Sequence, residues 1–246
     1  MNLLPESISL LTALLLCGVS FLTSALTAAI GLGGGLALLS VMASLLPPLA
    51  VIPVHGIVQL GSNGGRSIIQ RAHINWQIAG VFALGALVGA IVGGQVVFAL
   101  PPSMLKGVLG IFILYMLWGP KPRFRKAGTM IYTLTGAVST FLTMFVGATG
   151  PFVAAVLSPA KLTRHQMVAT IAICMTQQHA FKILIFGLLG FAFSPWLILT
   201  AGMIATGFAG TLVGTRLLTQ LPEKQFHIAF KTILTALALN LIRLSI

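Results

Sequence analysis

Four polar side chains in an otherwise apolar stretch, His55, Gln59, Asn63 and Arg66, follow one another at i, i+4, i+8 and i+11, which places them on one face of a helix. Lipid solvates such a face poorly, so the stripe serves either a substrate path or neighbouring helices that share its hydrogen bonds. About 115 residues on, Thr170, Cys174 and Gln178 form a second stripe, with Lys182 one residue off phase and Gln177 and His179 on its margins. All of these groups can donate a hydrogen bond and none is an acid. The chain has no aspartate, and its two glutamates, Glu6 and Glu223, fall at expected helix ends. Proton and sodium pathways use carboxylates inside the membrane, whereas anion pathways need donors and positive potential. Donors without acids therefore suit an anion. For Arg66 and Lys182 two readings are open, an anion ligand or an anchor that snorkels to the interface.

Each stripe is preceded by a glycine-containing break. The first is Gly31-Leu32-Gly33-Gly34-Gly35 and the second Gly147-Ala148-Thr149-Gly150-Pro151. Adjacent glycines weaken a helix interior by roughly 1 kcal/mol each, but they allow several backbone N–H groups to turn toward one point. The start of the helix that follows then favours an anion. Gly33, Gly34 and Gly35 would supply backbone donors in the first half. Thr149 adds a hydroxyl beside Gly150 in the second, and Pro151 suits a first helical turn. The competing reading is that both breaks are kinks that let helices pack closely.

The elements that must position these residues are membrane spans. The chain of 246 residues is 57% hydrophobic and only 7% charged, with a mean hydropathy of +1.06, as a polytopic membrane protein requires and a soluble core does not. No alternation of short strands supports a barrel, so the expected fold is all-α. A net charge of +12 comes from basic residues scattered at span ends, and no basic face with interleaved aromatics points to nucleic acid. Cys17 and Cys174 stand alone in apolar runs, which supports neither a disulfide framework nor a metal or redox motif. No cofactor or metal is expected. With no G-x-S-x-G elbow, no HExxH and no carboxylate to orient a histidine, an enzyme is not expected either. The start, MNLLPESISLL, lacks a basic region and carries Glu6, which reads as a retained first span.

The chain is also duplicated. LGALVGAIVGGQVVFALPP and ATGFAGTLVGTRLLTQLP set Gly89 on Gly210, Gly93 on Gly214 and Pro101 on Pro222, 121 positions apart, while the breaks are 116 apart. Gly85, Gly89 and Gly93 stand one turn apart and leave a flat groove for a second backbone. The basic loop KPRFRK is placed in the cytoplasm by the positive-inside rule. Threading spans of about 104 to 119, 76 to 99 and 49 to 70 backwards from it puts Arg66, Arg71 and His73 inside and residues 46 to 48 outside. Each half then holds five segments, an odd number, so residues 128–246 form a second repeat inverted relative to residues 1–120, with 121–127 as a cytoplasmic linker. In each half the second segment is short, Leu36 to Leu46 and Pro151 to Pro159. Eleven helical residues reach about 16 Å, half of the roughly 30 Å of hydrocarbon, which predicts one broken or re-entrant helix per repeat.

The run AAIGLGGGLALLSVMASLLPPLAVIPV, the polar-small helix after it, QRAHINWQIAG and the glycine ladder ending in LPP together resemble the TauE/SafE family of sulfite and organosulfonate transporters. The resemblance covers both halves. The chain differs from the family's pattern at Ser40, in GATGP as the second break, and in the IPVHG and VATIA sequences of the third segments. The resemblance implies a multi-pass carrier, expected in a bacterial inner membrane, with the lipid bilayer and a small anion such as sulfite or a sulfonate as its partners. A carrier of other small metabolite anions is the alternative, ahead of a cation or metal carrier, which the missing acids disfavour, and of an intramembrane enzyme. The anion is expected between the two breaks, exposed to each side in turn.

Overall fold

Proline and glycine punctuate the chain where its helices begin and end. A computed structural model describes residues 4–30, 33–99, 101–120, 124, 128–217 and 223–245. Among them are ten α-helices and no strand: α1 Leu10–Ile30, α2 Gly34–Leu45, α3 Pro48–Ile69, α4 Trp76–Ala99, α5 Pro102–Trp118, α6 Thr129–Val146, α7 Gly150–Leu157, α8 Arg164–Leu188, α9 Leu197–Leu217 and α10 Glu223–Arg243. Five helices are long and apolar enough to cross a membrane. The two short second segments are present, as α2 of 12 residues and α7 of eight. At 1.5 Å per residue they reach only about 18 and 12 Å. Gly33 precedes α2 at φ 102° and Gly147 closes α6 at φ 69°. Both are left-handed conformations that favour glycine. Asn75 accepts the Ile78 amide at 3.1 Å at the start of α4, and Thr163 and Gln166 form a capping box at the start of α8. Apart from Phe124, the basic loop 121–126 that anchored the topological reading lies outside the described residues, as do Gly31 and Leu32.

The helices gather into two units that do not follow the order of the chain. One comprises Met1–His55, Leu100–Pro120 and Ala192–Ile246; the other comprises Gly56–Ala99 and Lys121–Phe191. The division falls within α3. In the first unit α1 pairs with α9 and α5 with α10, with α2 against α1, α5 and α10. In the second, α4 pairs with α6 and α8, and α7 packs on α6 and α8. A core of Ile78, Phe82, Tyr132, Val153, Leu157 and Met175 joins α4, α6, α7 and α8. Large apolar side chains lie exposed on outer helix faces, among them Leu11 and Leu14 of α1, Leu84 and Val88 of α4, and Phe208 and Leu212 of α9. Lipid, not water, suits such a surface.

The glycine ladders are the contact faces of the two strongest helix pairs. A side chain at Gly85 would run into the Thr133 carbonyl, and one at Gly89 into the Ala137 carbonyl, so α6 lies backbone to backbone on α4. In the other unit Gly210 meets the Phe21 carbonyl and Gly214 the Ala25 carbonyl. These are the same contacts twice: Gly89 plus 121 is Gly210, and Phe21 plus 116 is Ala137. Gly93 and Phe141 repeat as Gly214 and Ala25 by the same two offsets.

Candidate functional site

The first break is closely packed. The position a side chain would take at Gly34 is filled by the Thr23 carbonyl and the Thr27 hydroxyl of α1. That hydroxyl donates back to the Thr23 carbonyl at 2.9 Å. His55, fully buried, donates from Nε2 to the Gly35 carbonyl at 3.0 Å, which ties α3 to the first turn of α2. The Gly33 carbonyl accepts the Ala37 amide at 3.0 Å and begins the helix. His55 thus spends one ring nitrogen on protein backbone.

The second break opens onto a buried hydrogen-bond network in the other unit. The Thr149 carbonyl accepts the Phe152 and Val153 amides at 3.0 and 3.2 Å. Its hydroxyl does not cap α7 and instead donates to Gln178 Oε1 at 3.0 Å. Gln178 Nε2 donates to Ser139 Oγ, and Ser139 donates to the Thr135 carbonyl. This sequence fixes which end of the Gln178 amide is nitrogen, because the serine proton is committed to a carbonyl that can only accept. One turn further along both helices, Lys182 Nζ donates to Thr143 Oγ1 at 3.1 Å. Ser139, Thr143, Gln178 and Lys182 are all 0% exposed and Thr149 2%. Gly56 of α3 leaves room for the lysine stem, whose Cδ would lie 3.1 Å from a methyl placed there. Lys182 therefore does not snorkel. Neither of the segments that make up this unit contains an aspartate or a glutamate, so no carboxylate within the unit can neutralise its ammonium.

The remaining candidates fall into smaller groups. Asn63 Nδ2 donates to the Gln59 carbonyl at 2.9 Å and to Gln59 Oε1 at 3.1 Å, and Arg66 Nη1 reaches Asn63 Oδ1 at 3.4 Å. The stripe on α3 is thus linked along its own helix. Asn63 is buried, while Gln59 and Arg66 are half-buried. On α8, His179 is buried, and the half-buried Gln177 keeps its Oε1 inside with no hydrogen-bond partner among the described residues. Gly150 has space around it, the nearest atom to an added methyl being Met175 Sδ at 3.8 Å. The structure thus brings Thr149, Gln178 and Lys182 together and links Gln59, Asn63 and Arg66 to one another along α3. A cleft of about 310 Å³ near the starts of α4 and α6, bordered by Asn75, Thr129, Tyr132 and Lys161, holds none of the candidates.

Ser139 and Thr143 are the residues that the sequence reading missed. Their signal is present in the chain: hydroxyls one turn apart in an apolar span, repeated 116 positions earlier as Thr23 and Thr27.

Among the described residues, ten α-helices, five of them long and apolar enough to cross a membrane and two of them short and set behind glycine breaks, define a polytopic membrane protein. The family model for the sulfite exporter TauE/SafE matches residues 16–241, nearly the whole chain. The chain belongs to that family. No curated protein and no solved structure matches it.

Proposed function

We propose that this protein carries a small anion across the membrane, with sulfite, sulfonates and related sulfur-containing anions as the first candidates. The observation that carries the reading is Lys182, fully buried in a unit whose segments include no acidic residue. A buried ammonium without a counter-ion is costly to maintain, and a bound anion supplies the missing charge. Family membership supports a sulfur oxyanion. The two repeats, 1–120 and 128–246 joined by 121–127, act as halves of an alternating-access carrier in a bacterial inner membrane, with KPRFRK inside and both chain ends outside. The recurrence of the Gly89–Ala137 contact as Gly210–Phe21 supports the duplication.

Two measurements test this reading. Purified protein is expected to be stabilised against heat by sulfite or a sulfonate and not by divalent cations, because a ligand that binds only the folded state raises its apparent stability. Proteoliposomes are expected to take up the same anion. Stabilisation by a divalent cation alone, with no anion uptake, would overturn it.

A further inference from the structure

The network around Lys182 is specific about the anion it suits. As an ammonium, Lys182 has three N–H groups, and among the described residues its one hydrogen bond is to Thr143. The Gln178 amide has two N–H groups, and one goes to Ser139. Gln178 and Lys182 stand at i and i+4, so their heads are neighbours on one face of α8. Three donors and one positive charge are thus left on one turn of helix, fully buried. Ser139, Thr143 and Thr149 hold these heads in place through their own hydroxyls.

Resting on the transport reading above, we propose that Lys182 and Gln178 form the binding subsite for the anion's head, and that the subsite selects a singly charged oxyanion with at least two acceptor oxygens on one atom. The oxygens answer the donor count: two or three acceptors on one atom let each N–H group meet its own oxygen, whereas a single acceptor atom has to be shared among them. The single charge follows from the carboxylate-free, one-lysine network. A monoanion makes the occupied site neutral, whereas a dianion leaves one negative charge buried without compensation. A sulfonate or hydrogensulfite fits both conditions, and sulfate fits only the first.

The test uses the full chain in detergent, with thermal unfolding titrated by sodium methanesulfonate and by sodium sulfate at matched ionic strength, beside methanesulfonate uptake in proteoliposomes. The wild-type protein is expected to be stabilised by methanesulfonate at a concentration at least tenfold below that needed for sulfate. Lys182→Met should abolish the methanesulfonate effect. Gln178→Glu keeps the lysine and gives it an internal counter-ion at i, i+4, so it should remain folded and lose methanesulfonate stabilisation by at least tenfold in concentration, while the isosteric Gln178→Met should weaken it less. A structural role for Lys182 alone would leave the methanesulfonate response of Gln178→Glu at the wild-type level, and that result overturns the proposal. Equal or tighter stabilisation by sulfate overturns the single-charge rule without any variant. Wild-type uptake with unchanged binding in both Lys182→Met and Gln178→Glu would leave transport standing and place its site elsewhere, whereas absence of both binding and uptake in the wild type would defeat the transport reading itself.

Discussion

The two glycine breaks lie 116 positions apart in the chain, yet one is filled by protein and the other borders a charged network. At the first, Thr27 donates to its own helix and lies with the Thr23 carbonyl against Gly34. At the second, the residues 116 positions on, Ser139 and Thr143, accept from Gln178 and Lys182 of another helix. The hydroxyls recur at that offset while their partners change. His55 has Ile171 at the same offset, and Lys182 has Arg66, a half-buried residue bonded along α3. Close backbone approaches thus recur at fixed offsets along the chain, while the side chains nearby give the two breaks different chemistry.

The largest expected effect separates the glycines themselves. Gly34→Ala puts a methyl where the Thr23 carbonyl stands, and neither helix backbone can move aside cheaply. Overpacking of this kind costs about 3 kcal/mol or more, so the variant should melt well below the wild type or fail to accumulate. Gly150→Ala meets only Met175 Sδ, at ordinary contact distance, and should change stability by less than about 0.5 kcal/mol. Thermal melts of both variants in detergent decide the matter, and equal melting would show that the breaks are packed alike. Loss of transport in Gly34→Ala would consequently say little about an anion, because its packing role accounts for it.

The next effect concerns the polar group at each break. His55→Ala removes the side-chain bond to the Gly35 carbonyl and opens a void, which together should cost about 2 kcal/mol. His55→Gln keeps a donor and should recover most of that loss while leaving methanesulfonate stabilisation unchanged. A loss of anion binding in His55→Gln without a loss of stability would move the first break from tie to ligand.

Much of the architecture was legible because it is written locally. The spans expected at 76 to 99 and 104 to 119 are α4 and α5 within a residue or two, since Asn75, Pro101 and Pro102 stop and start helices by rules that need no tertiary context. The short segments showed for the same reason. The spacing of Gly85 and Gly89 announced a close backbone, but not that the backbone belongs to α6, because that partner is fixed by contacts remote in sequence. Adjacent glycines look alike in a chain, so nothing distinguished Gly34, which packs against α1, from Gly35, whose carbonyl receives His55. Lys182 was readable as a ligand or as a snorkelling anchor, and only its burial beside Thr143 separates the two. Thr143 itself was passed over because a threonine in an apolar helix ordinarily satisfies itself on its own backbone.

The smallest effect probes whether the second break is coupled to the lysine network or merely adjacent to it. Thr149→Val preserves shape and removes the hydroxyl that donates to Gln178 Oε1, so no void adds to the cost, and the lost bond should lower stability by about 1 kcal/mol. The more telling consequence is orientation. With the Thr149 hydroxyl gone, the bond to Ser139 is the one that holds the Gln178 amide among the described residues, and its second N–H no longer has a fixed direction. Methanesulfonate affinity should therefore fall about fivefold, the equivalent of about 1 kcal/mol, and Thr149→Ser, which restores the hydroxyl but not the methyl, should return most of it. A purely structural threonine predicts a different pattern, in which Val and Ser variants lower the melting temperature without altering the anion concentration at half-effect. That pattern would detach the break from the site and leave Lys182, Gln178 and the α6 hydroxyls to bind the anion without it.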